Sequence, residues 1–321
     1  MSKSTEAIGT LDYFVLDVFT KTRLTGNPLA VVLNPGNLTT ELMQAIARET
    51  NLSETAFVER REPRVEQREG VRVRIFTTEE ELPFAGHPTL GTASLLRSIA
   101  PECVLANTVT LALNVGAVPV RFDVQEPDAP AWPVRGEMTQ KDPTFGQELD
   151  HAEVAALTGF AVEDFAPGRP IQVVSTGTAF AIVPLRSAAG LTKLRVRQQE
   201  SAAYLKARGA RWFYVLGPED PIDPTASGSP AELAWRARLQ FSGGEDPATG
   251  SAAGCAISYL VKHGVVASDQ TVHLRQGVEM QRPSHIFLRA NRNVASKEIR
   301  VTDVRVGGST ILVAKGQLFL P

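Results

Sequence analysis

The stretch HPTLGTA at residues 87–93 is followed, half a chain later, by DPATGSA at residues 246–252. Each copy has a polar residue, Pro, two further residues, Gly, a hydroxyl residue and Ala. Proline directly after a polar residue suits the start of a helix, where its missing N–H costs nothing. We therefore predict that each half of the chain contains one helix that begins at this motif. Because helix N-termini attract anions, the two ends are expected to hold a small acid in a cleft between matching domains.

The residues behind both motifs are uncharged. No charged residue occurs from Pro88 to Leu96 or from Pro247 to Val261, and a helix that is apolar all round is buried on every side. Strand patterns surround both helices; at 71–75, valine and isoleucine alternate with arginine. We therefore predict an α+β fold with two pseudo-symmetric domains. Each would be a curled, mostly antiparallel, barrel-like sheet around its central helix.

Chain length supports two domains, since 321 residues exceed what one ordinary core fills. The segment 126–143 is rich in proline and poor in periodicity, and is the predicted linker. We expect the first domain to comprise residues 1–125 with a C-terminal strand at about 308–321. The second domain is expected at 144–307.

Composition and charge argue against several classes of protein. The formal net charge of −2 gives no long-range attraction to nucleic acid or acidic membranes. No uninterrupted apolar run reaches the roughly 18 residues of a membrane-spanning helix, and the polar N-terminus lacks the apolar core of a signal peptide. We therefore expect a cytoplasmic protein without a nucleic-acid or membrane partner.

Metal and cofactor motifs are also missing from the sequence. The five histidines show no HExxH or similar spacing, and the two cysteines, Cys103 and Cys255, form no CxxC pair. No GxGxxG or GxxxxGK[ST] motif indicates a dinucleotide or a nucleotide phosphate. We expect no metal and no cofactor, and interpret both cysteines as small core or loop residues.

Three residues are candidates for catalysis: Glu54, His87 and Asp246. Histidine is a poor helix cap, so at the predicted helix start a substrate contact is the favoured interpretation of His87. Aspartate is among the best N-cap residues, so Asp246 can be a cap, a functional carboxylate or both. Glu54 lies between a helix end and an apolar strand. It is either a solvated carboxylate or a base whose pKa is raised by desolvation in a closed cleft.

The first turn of the second helix contains the candidate binding residues. Ser251 is either merely small or binds substrate through its hydroxyl. In the second case the N–H groups of Gly250 and Ser251 would also bind a carboxylate. The expected partner is therefore a small carboxylated molecule.

Several motifs together resemble the PhzF family, named for the isomerase of phenazine biosynthesis and similar in fold to diaminopimelate epimerase. In the first half these motifs are DVF (17–19), GNPLAV (26–31), LSETAFV (52–58), FT (76–77) and PFAGHPTLG (83–91). In the second half they are STG (175–177), GEDPATGSA (244–252), QG (276–277) and RPS (282–284). They run through most of the chain and are specific for the family, but not for one substrate.

The resemblance implies two barrel-like domains with the active site between them, usually in a homodimer. It also implies an isomerase that needs no cofactor and moves a proton between carbons of its substrate. The residue that matches the family's proton-transferring glutamate is Glu54.

Further site residues follow from the same resemblance. The family's His, Asp and Ser around the substrate correspond to His87, Asp246 and Ser251. Backbone groups at Gly86 and Gly250 would hold the substrate at the two helix ends.

Two other functions are compatible with the sequence. An amino-acid epimerase or racemase would use the same fold, although relatives of that type use two cysteines where this chain has Glu54 and Asp246. A non-catalytic binding protein would keep the cleft and bind a small molecule without turnover.

Overall fold

The computed structural model describes residues 9–36, 38–124, 130–219, 232–295 and 298–320. The chain divides into two compact units. Unit 1 comprises Met1–Leu24, Pro28–Gly136 and Thr310–Pro321, and unit 2 comprises Thr25–Asn27 and Glu137–Ser309. The domain bounds expected from the sequence stay a prediction, and residues 126–129 of the expected linker lie outside the described part of the chain.

The strands and helices are listed here in chain order. In the first half they are β1 (Thr10–Val18), β2 (Asn27–Leu33), α1 (Thr40–Thr50), β3 (Thr55–Glu59), α2 (Pro63–Glu69), β4 (Val71–Phe76), β5 (Glu81–Leu82), α3 (Gly86–Ile99), β6 (Thr108–Leu113), β7 (Gly116–Phe122) and β8 (Val134–Thr139). In the second half they are β9 (Thr144–Leu149), α4 (His151–Thr158), β10 (Ile171–Ser175), β11 (Ala179–Pro184), α5 (Gln198–Ala207), β12 (Trp212–Pro218), β13 (Glu232–Arg238), β14 (Gln240–Phe241), β15 (Gly244–Glu245), α6 (Gly250–Lys262), β16 (Thr271–Gln276), β17 (Ser284–Ala295) and β18 (Glu298–Phe319). Short 3₁₀ turns lie at Pro101–Cys103, Val162–Asp164 and Ala188–Lys193.

The sheet of unit 1 closes into a barrel of eight strands. Its order is β1-β2-β3-β4-β6-β7-β8-β18, and β18 also pairs with β1. The β2–β3 and β4–β6 pairs are parallel, with α1 and α3 as their respective crossover connections. The β3–β4, β6–β7 and β1–β18 pairs are antiparallel.

The sheet of unit 2 repeats this arrangement of connections. Its strands follow the order β18-β17-β16-β13-β12-β11-β10-β9. The β11–β12 and β13–β16 pairs are parallel, and the chain between their strands contains α5 and α6 respectively. The neighbouring β10–β11, β12–β13 and β16–β17 pairs are antiparallel. The predicted α+β fold, with a mostly antiparallel sheet and one central helix in each half, is confirmed.

Both central helices are buried, as their uncharged sequences predict. Every residue of α3 from Gly86 to Leu96 is buried, and so is every residue of α6 from Ala252 to Val261. Helix α3 packs against β1, β3, β6 and β7, and α6 packs against β10, β11, β12 and β17. In the described residues, no helix is long and apolar enough to cross a membrane.

The two central helices begin differently, which corrects the expected equivalence of the motifs. Helix α3 begins at Gly86, so His87 lies inside its first turn. Helix α6 begins at Gly250 with Thr249 as its N-cap, not at Pro247 as the sequence predicts. The Asp246 side chain instead accepts a hydrogen bond from Thr249, and this local turn delays the helix.

A strand also lies inside the stretch interpreted as a linker. Strand β8 occupies Val134–Thr139, where Val134, Gly136 and Met138 are buried and alternate with more exposed residues. This period of two is a strand signal that the neighbouring prolines obscured.

A close backbone approach at the end of β16 fixes the segment before α6. Gly277 has a φ angle of +74°. A Cβ atom at this position would lie 2.5 Å from the carbonyl oxygen of Arg282 and 2.7 Å from that of Pro247. Both are backbone atoms, so neither can move away easily. The absence of a side chain at Gly277 therefore lets the chain pass directly beside Pro247.

We predict that Gly277→Ala destabilises the protein more than Gly209→Ala. The two glycines have nearly the same φ angle, +74° and +73°, so both substitutions carry a left-handed backbone cost of about 1–2 kcal/mol. A Cβ atom at Gly209 would meet nothing within 4 Å. The clash at Gly277 should therefore add about 1–3 kcal/mol to the loss of unfolding free energy, measured by chemical denaturation. Equal losses for the two variants would contradict this explanation.

Candidate active site

Glu54 and His87 come together in unit 1. Helix α1 ends at Thr50 and is capped by Asn51, which adopts the left-handed conformation, and the chain then turns into β3. The hydroxyl groups of Thr50 and Thr55 lie 2.7 Å apart and close this turn around Glu54. Oε2 of Glu54 lies 3.5 Å from Nε2 of His87, with side chains 16% and 5% exposed. The turn therefore presents a largely buried carboxyl group to the imidazole in the first turn of α3.

The His87 ring is neutral at physiological pH. Burial lowers the pKa of His87 to about 3, although a hydrogen bond to the Pro28 backbone acts in the opposite direction. Because proline has no N–H, the imidazole donates to the carbonyl of Pro28. The contact with Glu54 is therefore not an ion pair. It places a carboxyl group beside a neutral imidazole that has a single N–H.

Asp246 lies in unit 2, directly after β15, and its carboxylate accepts several hydrogen bonds. Oδ1 of Asp246 accepts from Nδ2 of Asn27 at 2.9 Å, and Oδ2 accepts from Oγ1 of Thr249 at 2.6 Å. The backbone N–H of Ala248 also points to Oδ1, at 3.4 Å. These groups are all donors, so they favour the ionised form of the carboxyl group.

Burial and hydrogen bonding act in opposite directions on Asp246. Desolvation raises its pKa to about 6, while the hydrogen bonds from Thr249, Ala248 and Asn27 lower it. The negative charge of Glu245 adds a small increase. Burial is the larger effect, and Asp246 therefore titrates close to the physiological range and is ionised at pH 7.

The candidate binding residues lie in the first turns of the central helices. Gly86 is buried at the start of α3 and Gly250 at the start of α6. Ser251 is half-buried, although the ten residues after it are fully enclosed. The carbonyl oxygen of Gly250 accepts a hydrogen bond from Nε2 of Gln140 at 2.9 Å, which fixes this turn. Since the first N–H groups of a helix have no intrahelical partner, both turns can bind an anion.

Sequence reasoning missed the residues that surround Asp246. Asn27 is interpretable from sequence only as part of a turn, and its amide also donates to the carbonyl of Ala248 at 2.8 Å. Arg282 donates to the backbone oxygens of Thr25 and Gly26 and so fixes the segment that carries Asn27. The only sequence signal for Asn27 and Arg282 is that each belongs to one of the motifs that resemble the PhzF family.

The thiols and the possible metal ligands are placed as follows. Burial raises the pKa of Cys103 and of Cys255 to about 11, so both thiols are protonated near neutral pH. Neither therefore supplies a ready thiolate. Across the part of the chain that the structure describes, no three His, Cys, Asp or Glu side chains cluster as metal ligands would.

Known proteins resemble this chain over nearly its whole length. A family model described as phenazine biosynthesis-like protein matches residues 16–316. An uncharacterized isomerase from Mesorhizobium japonicum is 34% identical over 317 residues, which is 97% of this chain and 99% of that protein. The trans-2,3-dihydro-3-hydroxyanthranilate isomerase of Pseudomonas aeruginosa is 33% identical over 311 residues, or 96% of this chain and 99% of that protein.

A solved structure agrees with these sequence relationships. The structure of a predicted epimerase from Pseudomonas aeruginosa has a TM-score of 0.75 and 33% sequence identity, and covers 97% of this chain and 100% of its own. The similarity therefore covers both compact units and not just the motifs quoted from the sequence. The chain belongs to the PhzC-PhzF family of phenazine biosynthesis-like proteins.

Proposed function

We propose that this isomerase moves a proton between two carbons of a small carboxylated metabolite, with Glu54 as general base and then general acid. The observation that carries the proposal is the position of Glu54, whose carboxyl group is largely buried and lies 3.5 Å from the neutral His87 ring. A carboxyl group removed from water is suited to exchange protons near neutral pH. The isomerase names of the relatives at 33–34% identity support the same class of reaction.

The reaction balances without an external reactant. Ionised Glu54 removes a proton from one carbon, and the electron pair of that C–H bond shifts through the adjacent double bond. Protonated Glu54 then delivers a proton to the carbon at the far end of the shifted bond. His87 stays neutral, and because its one N–H donates to Pro28, its other ring nitrogen can only accept a hydrogen bond, from the protonated Glu54 carboxyl group or from the substrate.

The remaining candidates serve substrate binding in this proposal. The first turns of α3 and α6, with Gly86, Gly250 and Ser251, bind the substrate carboxylate through backbone N–H groups and the serine hydroxyl. Asp246, ionised above about pH 6, accepts a hydrogen bond from a donor group of the substrate or relays a proton. The anthranilate in the name of the Pseudomonas aeruginosa relative is itself a carboxylated compound, which supports an acid as substrate.

Several further features of the proposal rest on the family resemblance. We expect the enzyme to work without a cofactor, as a homodimer in the cytoplasm.

An epimerase acting on an amino acid is the second candidate. The related solved structure from Pseudomonas aeruginosa is described as a predicted epimerase, which favours this alternative. The protonated thiols of Cys103 and Cys255 count against a two-cysteine mechanism. Deuterium that enters a chiral α-carbon from D2O with inversion would identify an epimerase, whereas deuterium at a different carbon would identify an isomerase.

We predict that Glu54→Gln lowers turnover by about 10³-fold or more, because the amide cannot take up the substrate proton. Folding and binding of the acid should be largely retained, since the amide has nearly the same shape. A thermal-shift screen of small carboxylic acids, including trans-2,3-dihydro-3-hydroxyanthranilate, would first identify a ligand. Proton exchange of that ligand with D2O would then be followed by NMR.

The matched control is Glu59→Gln at the other end of β3, where the carboxylate lies 4.0 Å from the Arg72 guanidinium. This variant should exchange protons at close to the wild-type rate. Near-normal exchange in Glu54→Gln would remove Glu54 from the mechanism. If acids stabilise the wild-type protein but none of them exchanges protons, the chain is a binding protein and the proposed function is wrong.

A further inference from the structure

The hydroxyl proton of Thr249 has only one possible direction, toward the carboxylate of Asp246. Oγ1 of Thr249 lies 2.6 Å from Oδ2 of Asp246 and 2.9 Å from Nε2 of Gln276. An amide nitrogen can only donate, so Nε2 of Gln276 donates a hydrogen bond to Oγ1 of Thr249. The single hydroxyl proton of Thr249 is therefore directed at Asp246, where it stabilises the negative charge.

The Gln276 amide can adopt only one orientation. Its Oε1 accepts from the backbone N–H of Thr249 at 3.1 Å and from the hydroxyl of Tyr214 at 2.8 Å. Its Nε2 donates to the backbone oxygen of Asp246 at 2.8 Å. A flipped amide would oppose N–H to N–H and oxygen to oxygen. Gln276 and Tyr214 are fully buried, so water cannot replace these hydrogen bonds cheaply.

Tyr214 and Glu245 are two further titratable groups beside this network. Burial, and then the charge of Asp246, raises the pKa of Tyr214 well above its usual value, so Tyr214 remains a donor. Glu245 precedes Asp246 and is paired with Arg238 through contacts of 2.8 Å and 2.5 Å. The neighbouring negative charge is thus compensated, and the hydrogen bond from Thr249 is the shortest contact of the Asp246 carboxylate within this network.

We propose that Gln276 is a positioning residue that acts through Thr249: it orients the threonine hydroxyl and so keeps Asp246 ionised as an acceptor for the substrate. This network also explains the QG motif at residues 276–277, one of the motifs that resemble the PhzF family. Gln276 directs the hydroxyl, and Gly277 allows the approach to Pro247 that keeps the amide within reach. The link to the substrate rests on the proposed function, whereas the link from Gln276 to Asp246 does not.

The test is the pKa of Asp246, measured by ¹³C NMR of the aspartate carboxyl carbons. The Asp246 resonance is the one that disappears in Asp246→Asn. In Thr249→Val, which keeps the shape but removes the hydroxyl, we expect the pKa of Asp246 to rise from about 6 by about 1 pH unit. Gln276→Met should cause a rise of similar size, because the hydroxyl of Thr249 is no longer directed at Asp246.

Combining the variants separates positioning from a general packing role. If Gln276 acts through Thr249, the double variant Gln276→Met with Thr249→Val should show no larger rise than Thr249→Val alone. Thr249→Ser keeps the hydroxyl and should retain the wild-type pKa. Tyr214→Phe removes one donor from Oε1 of Gln276 but leaves the threonine oriented, and should also change little.

Other outcomes would overturn the inference. An unchanged pKa of Asp246 in folded Gln276→Met, or a double variant whose rise is the sum of the single rises, would exclude action through Thr249. If Gln276→Met does not fold, Gln276→Glu replaces it. The Thr249 hydroxyl would then turn to the introduced carboxylate, and the pKa of Asp246 should rise further.

The outcome is independent of turnover. If the pKa of Asp246 shifts as expected while Asp246→Asn remains fully active, the positioning by Gln276 stands and the assigned role of Asp246 in the reaction is wrong. If Asp246→Asn is inactive but the pKa of Asp246 does not change in Gln276→Met, the role of Asp246 in the reaction stands and the positioning by Gln276 is wrong.

Discussion

Removal of an ionised carboxylate from water costs several kcal/mol unless hydrogen-bond donors replace the lost hydration. Asp246, which follows β15, is partly buried and therefore subject to this cost. The residues around it supply or orient hydrogen-bond donors. Thr249 and Asn27 donate to its two oxygens, and Gln276 orients the threonine. Because Gly277 has no side chain, its backbone can lie directly beside that of Pro247. Helix α6 begins only after these contacts are complete.

The two halves of the chain share one arrangement of sheet and central helix but place different polar groups near the helix start. Each encloses an uncharged helix in a mostly antiparallel sheet, and each places a polar group near the helix start. In unit 1 that group is His87, which burial makes neutral beside Glu54. In unit 2 it is Asp246, which burial leaves titrating at about pH 6. In the proposed function, the carboxyl group of Glu54 beside the neutral ring transfers the proton, and Asp246 is a separate acceptor for the substrate.

The sequence predicts the scaffold better than the site. Two uncharged segments that each follow a helix-start motif favour buried helices, so α3 and α6 were identifiable without any contact information. The start of α6 was not, because the turn at Asp246 depends on the Thr249 hydroxyl and on Gln276, which lies on a different strand. Strand β8 was missed because nearby prolines hide its alternation. The place of Asn27 beside Asp246 joins distant parts of the sequence, and no local pattern predicts it.

The most direct measurement is the pH dependence of unfolding free energy for the wild-type protein and Asp246→Asn. Folding raises the pKa of Asp246 from its usual value of 3.8 to about 6, so its contribution to stability is present below pH 4 and is lost as the pH rises through 6. Relative to the asparagine variant, the wild-type protein should lose about 2 kcal/mol between pH 4 and pH 7. Parallel curves for the two proteins would contradict the burial of a titrating carboxylate at this position.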